Sequence, residues 1–112
     1  MVGERMKKTT LMSKVGGKPD VKVTVYENGT PGLFVGRRLW RGEQTGRWDI
    51  YHHSGYLVPS PGYDTRKQAT GIMQELGNLT DWTKDPETIA RNGYDACGHN
   101  HLGHVVMRIC YA

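Results

Sequence analysis

What this chain of 112 residues lacks narrows its function before any motif is read. No apolar run approaches the ~20 residues of a membrane-spanning helix, and no membrane partner is expected. Behind Arg5, Lys7 and Lys8 comes no apolar segment of the kind a secretory signal carries, and a cytoplasmic location is expected. The sequons Asn28-Gly-Thr30 and Asn78-Leu-Thr80 then carry no weight, and the two cysteines read as free thiols. There is no Cys-x-x-Cys, no G-x-S-x-G, no phosphate-binding glycine loop and no internal repeat. Without a nucleophile, base and orienting group in any recognisable pattern, the chain reads as non-enzymatic, with no cofactor.

Apolar residues make up only 37%, against 15 glycines, a balance that suits strands and turns better than a helical bundle. The length suits one domain. The net charge of +4 sits entirely in residues 1–19, where Arg5, Lys7, Lys8, Lys14 and Lys18 oppose Glu4. The remainder is neutral, with a weakly positive stretch from Val21 to Val58 and a weakly acidic one from Pro59 onward.

Residues 1–19, with Gly16-Gly17 and Pro19 and no sustained period, are expected to be a flexible basic arm or extension, with Met6 and Met12 as alternative starts. Residues 20–112 are expected to form a single α+β domain. Val21, Val23 and Val25 alternate on one face of a strand that ends at Glu27-Asn28-Gly29. Further strands are expected at Leu33–Trp40, Arg47–His53 and Tyr56–Val58, with a turn over Gly42–Gly46, giving a four-stranded meander that Pro59 and Pro61 end. The main helix follows, capped by Asp64 or Thr65, with Ala69, Ile72, Met73 and Leu76 as one apolar stripe and Gly77-Asn78 as its stop. Gly71 weakens that helix by roughly 1 kcal/mol and is expected to let its backbone approach the sheet closely. Asp85 and Pro86 open a short second helix reaching Arg91. The β-rich run His104–Cys110 is expected to add a last strand, making an antiparallel sheet of four or five strands with one main helix packed across it.

Trp48, Ser54-Gly55, Thr65-Arg66-Lys67-Gln68-Ala69 and Asp81-Trp82-Thr83 form a pattern that resembles small uncharacterised proteins of actinobacteria and their phages, which implies no activity. Trp48 and Gly62-Tyr63-Asp64-Thr65 are also similar to the three-stranded-sheet-plus-helix domains of plant ethylene-response factors and of tyrosine-integrase arm-binding domains. That second resemblance covers about a third of the chain and implies a sheet whose outer face enters the DNA major groove. Asp49 on that face and the C-terminal third depart from it.

If the valine face and the Trp48/Ile50 face both meet the helix, the outer face presents Arg38, Trp40, Arg47 and Tyr51, flanked by Arg37 and Arg41. Arginines interleaved with aromatics suit phosphate pairing and base contact. The leading expectation is therefore a small nucleic-acid-binding accessory protein, plausibly encoded by a phage or mobile element, with the tail lysines adding phosphate contacts. The same face suits a protein-binding factor that inhibits a host or defence component, or a solvated surface with cross-strand Arg–Asp or Arg–Glu pairs. Cys97, His99, His101 and His104 are the candidate metal ligands, which would make a metal-stabilised module; their plain alternative is a polar glycine-rich loop, with Cys110 buried as a small hydrophobe. Trp82 is expected to anchor a loop in the core, and His52-His53-Ser54 to serve a turn rather than catalysis.

Overall fold

The computed structural model describes residues 6–14, 20–95 and 97–112. Strands β1 (Lys7–Ser13), β2 (Val21–Glu27), β3 (Leu33–Trp40) and β4 (Glu43–His52) form one antiparallel sheet in sequence order. Helices α1 (Arg66–Leu76), α2 (Pro86–Asn92) and α3 (His101–Cys110) follow, an α+β arrangement. Among the described residues no helix is long and apolar enough to cross a membrane.

Three elements differ from the sequence expectation. The expected basic arm contains β1, which pairs with β2 from Lys7↔Glu27 to Ser13↔Val21. Lys7, Lys8, Thr9 and Thr10 are exposed on this edge strand, so no apolar alternation marks it; backbone pairing to a partner supplied later in the chain creates it. Residues 1–5 and 15–19 of that arm lie outside the described residues. The expected strand at Tyr56–Val58 contracts to one bridge, Leu57↔Tyr51, supported by Val58 N–H donating to Ile50 O at 2.9 Å. The expected last strand is α3. Asn100 caps it through Gly103 N–H (2.8 Å), and Leu102, Val106, Ile109 and Cys110 fall on one helical face toward the core. The β-branched residues in that run follow a helical period, and tertiary packing overrides their intrinsic preference.

Register decides which residues share a face. Val25 opposes Gly36, and Gly36 opposes Asp49, so the valines lie on the side of Asp49 and Tyr51. Leu33, Val35, Trp48 and Ile50 lie on the other side, beneath α1. The expectation that the valines and Trp48/Ile50 share one face is thus incorrect, and the sheet has two apolar faces. The first packs on Ala69, Met73 and Leu76 of α1 and on Val106 and Cys110 of α3. The second gathers Val23, Val25, Leu39 and Tyr51 with Leu11, Val21, Phe34 and Leu57. A sheet apolar on both sides must cover each, and here the end of β1 meets the turn after β4. Lys14 N–H donates to Gly55 O at 3.0 Å, and a Cβ on Gly55 would run into Met12 O.

The helical caps follow their sequence signals. Thr65 accepts from Gln68 N–H at the start of α1, and Asp85 accepts from Thr88 N–H with Pro86 at the first position of α2. Trp82 is buried, and its indole N–H donates to Leu76 O at 2.7 Å, a second bond beside that from Leu79 N–H on a terminal carbonyl of α1. Gly71 does not fit its expected role. It lies on the exposed side of α1 with nothing within 4 Å of the place a Cβ would occupy, because the stripe facing the sheet is formed by its neighbours Ala69 and Met73.

Candidate nucleic-acid interface

The structure disperses the four residues expected on one outer face and the two arginines expected to flank it. Tyr51 is fully buried in the second core, and its hydroxyl donates to Arg37 O at 2.9 Å. Burial, reinforced by the nearby Asp49 carboxylate, pushes its phenol up to about 12. It can reach no partner, because the valines it was expected to oppose share its face.

Arg38 grips Asp49 with two bonds, Nε to Oδ2 at 2.8 Å and Nη2 to Oδ1 at 2.9 Å, and also donates to Ser60 O at 3.0 Å. The hydrogen bond to Asp49 raises its pKa further, against burial. Asp49 is fully buried and completes its shell with Ser60 Oγ at 2.8 Å. Arg47 donates to Asp64 Oδ1 at 2.6 Å and to Gly62 O. Arg38 thus forms a cross-strand Arg–Asp pair of the kind expected as its alternative, while Arg47, itself exposed, pairs with Asp64 in the corner that leads into α1.

Trp40 and Arg41 remain accessible. The β3–β4 turn is tighter than the expected Gly42–Gly46 turn: Trp40 pairs with Glu43, and Arg41 and Gly42 both have positive φ, 52° and 83°. That is the geometry of a two-residue hairpin turn in which Asn-Gly is usual and Arg strained. Trp40 is 66% exposed, with the Arg41 guanidinium 5.7 Å from its ring centre.

A different cationic surface is assembled where α1 leaves the sheet uncovered. Register places Lys8, Thr10, Met12, Lys22, Thr24 and Tyr26 on the same face as Arg37 and Trp48. Arg37 lies 4.2 Å above the centre of Trp48, and Arg66, the first residue of α1, lies 4.5 Å above Tyr26. The two rings are 6.2 Å apart and tilted by 54°. Among the described residues neither Arg37 nor Arg66 is in an ion pair. The Arg37 Nη1 group donates to Gly46 O at 3.1 Å. Each guanidinium group lies at cation–π distance over a ring, and neither is spent on a carboxylate among the described residues. Of the six expected residues, only Arg37 belongs here. Lys8 is one of the tail lysines expected to contact phosphate; Tyr26, Arg66 and Lys22 were missed, although Lys22-x-Thr24-x-Tyr26 is the polar alternation opposite the three valines.

The C-terminal candidates also separate. His99 and His101 come together with Asp95, their ligand atoms all within 4.8 Å of one another. Cys97 is exposed and outside that group, and His104 borders a cavity of about 490 Å³ between α2 and α3, lined by Val58, Trp82, Ile89, Leu102 and Val106. Cys110 is buried, as the plain reading expects, and burial raises its thiol. His52 is buried too. Its Nε2 lies 2.9 Å from Lys84 O, and its Nδ1 faces Ser54 Oγ at 2.8 Å and Ser54 N–H at 3.2 Å. A carbonyl can only accept, so Nε2 carries the proton and Nδ1 accepts, a neutral ring locking the turn. Burial, with His53 adjacent, lowers its pKa accordingly. No family model, no curated protein and no solved structure matches the chain.

Proposed function

We propose that this protein is a cytoplasmic, non-enzymatic accessory protein that binds nucleic acid through the open part of its helix-side sheet face. The observation that carries the reading is the pair of cation–π contacts Arg37–Trp48 and Arg66–Tyr26, neither guanidinium being in an ion pair among the described residues. Arg37, Arg66, Lys8 and Lys22 are the phosphate contacts, and Tyr26 and Trp48 fix the guanidinium groups and offer ring edges to bases. Such a surface binds by backbone charge first, with sequence preference secondary.

The test is a salt titration of fluorescence anisotropy with labelled single-stranded and duplex oligonucleotides. Four phosphate contacts give a slope of log K against log salt of about −3 for single strands and about −3.6 for duplex. The Arg37→Ala/Arg66→Ala variant should reduce that slope by about 1.5 to 2. Absence of binding at low salt, or an unchanged slope in the variant, overturns the reading.

One observation favours a rival. Trp40 and Arg41, exposed on a strained two-residue turn, have the chemistry of a protein-interface anchor. If the protein inhibits a host or defence component instead, Trp40→Ala abolishes capture of that component while leaving any salt-dependent nucleic-acid binding intact.

A further inference from the structure

We propose that Asp95, His99 and His101 form a binding site for a divalent transition ion of the zinc type. Three donor atoms of the right chemistry converge: Asp95 Oδ2 lies 3.4 Å from His99 Nδ1 and 2.7 Å from His101 Nε2. An ion held at about 2.1 Å by each ligand sets its donors about 3.0 Å apart at octahedral right angles and about 3.4 Å apart in a tetrahedron. The His99 separation matches the tetrahedral value, and the His101 one, a hydrogen bond, must open by about 0.3–0.7 Å, so small side-chain adjustments admit the ion.

The backbone arranges the donors in advance. Tyr94 and Asn100 form an antiparallel bridge, and Asp95 N–H donates to His99 O at 2.9 Å, which closes the loop between them. Asp95 Oδ1 accepts from Cys97 N–H and His99 N–H, both at 2.9 Å, leaving Oδ2 to face the two imidazoles. This is the outer-shell orientation that ligating carboxylates ordinarily have. On the other side, the Asn100 cap fixes His101 as the first residue of α3. Both imidazoles are more than two-thirds exposed, so an ion can enter from solvent and water completes its coordination. Two imidazoles and one carboxylate suit zinc, nickel, cobalt or ferrous ion better than the all-oxygen preference of magnesium or calcium. The bound ion clamps the loop to the start of α3. It is independent of the sheet face and of the proposal made for it.

The test is isothermal titration calorimetry of the untagged full chain with Zn²⁺. One saturable site is expected, and His99→Ala and His101→Ala each weaken it at least about tenfold. Asp95→Asn weakens it similarly, although an amide oxygen can still accept from the Cys97 and His99 amides; far-UV circular dichroism confirms that each variant folds. His104→Ala, outside the triad, leaves the affinity within about twofold. No saturable binding, or binding that survives in His101→Ala but is lost in His104→Ala or Cys97→Ala, overturns the assignment.

Discussion

Replacing Arg38 by alanine is expected to remove about 3 kcal/mol of stability, a large share of the 5–15 kcal/mol typical of a domain. The Asp49 carboxylate has no exposure to solvent and receives three side-chain hydrogen bonds, two from Arg38 and one from Ser60. Truncating Arg38 leaves Ser60 as the single side-chain donor to a buried charge, a change that ordinarily costs 3–5 kcal/mol. The lower end applies here because the Arg38 side chain is 34% exposed, so water follows into the space it vacates. With a urea dependence of about 1.5–2 kcal/mol/M, the unfolding midpoint read by circular dichroism falls by about 1.5–2 M. The double variant Arg38→Met/Asp49→Leu should recover most of the loss, since no unpaired charge stays inside. A midpoint shift below about 0.3 M in Arg38→Ala refutes the structural role. It also returns Arg38 to the set of cations free for a partner.

Two further outcomes can be checked on the same instrument. Gly71→Ala is expected to stabilise the chain by about 0.5–1 kcal/mol, raising Tm by several degrees, because the added methyl meets nothing within 4 Å and α1 gains backbone order; a lower Tm refutes it. His52 contributes a pH dependence with a definite sign: its folded pKa lies below the unfolded value of about 6.5, so the unfolded chain takes the proton first. Stability is then full above about pH 6.5 and declines as pH falls through that value toward the folded pKa, and Tm measured between pH 8 and 5 should decline less in His52→Gln.

The elements legible in the sequence are those whose signals are local. Thr65 and Asp85 cap helices through amides three residues on, Pro86 fits the first helical position, and the Ala69–Met73–Leu76 stripe needs only its own period. What was illegible depends on distant partners. Lys7–Ser13 becomes a strand only because Val21–Glu27 offers an edge, and nothing in Lys-Lys-Thr-Thr announces it. The His104–Cys110 run was read by its β-branched residues when the cap at Asn100 and the spacing of Leu102, Val106 and Ile109 carried the stronger signal. For the site, the limit was register. Alternation says that Trp48 and Tyr51 face opposite ways, but not which of them shares a face with Val25. That single parity moved the exposed cationic face from Arg38 and Arg47 to Arg37, Arg66, Lys8 and Lys22.

Ile50 and Tyr51 are consecutive residues, and each belongs to a different core. The two clusters therefore share one stretch of main chain, with α1 and α3 on one side and the curled end of β1 on the other. Neither can loosen around β4 without withdrawing support from the other, so the division into two cores is spatial but not energetic. The chain is therefore expected to unfold in one transition about a single strand, and its polar seam, Asp49 beside Ile50, runs along the line where the two clusters are joined.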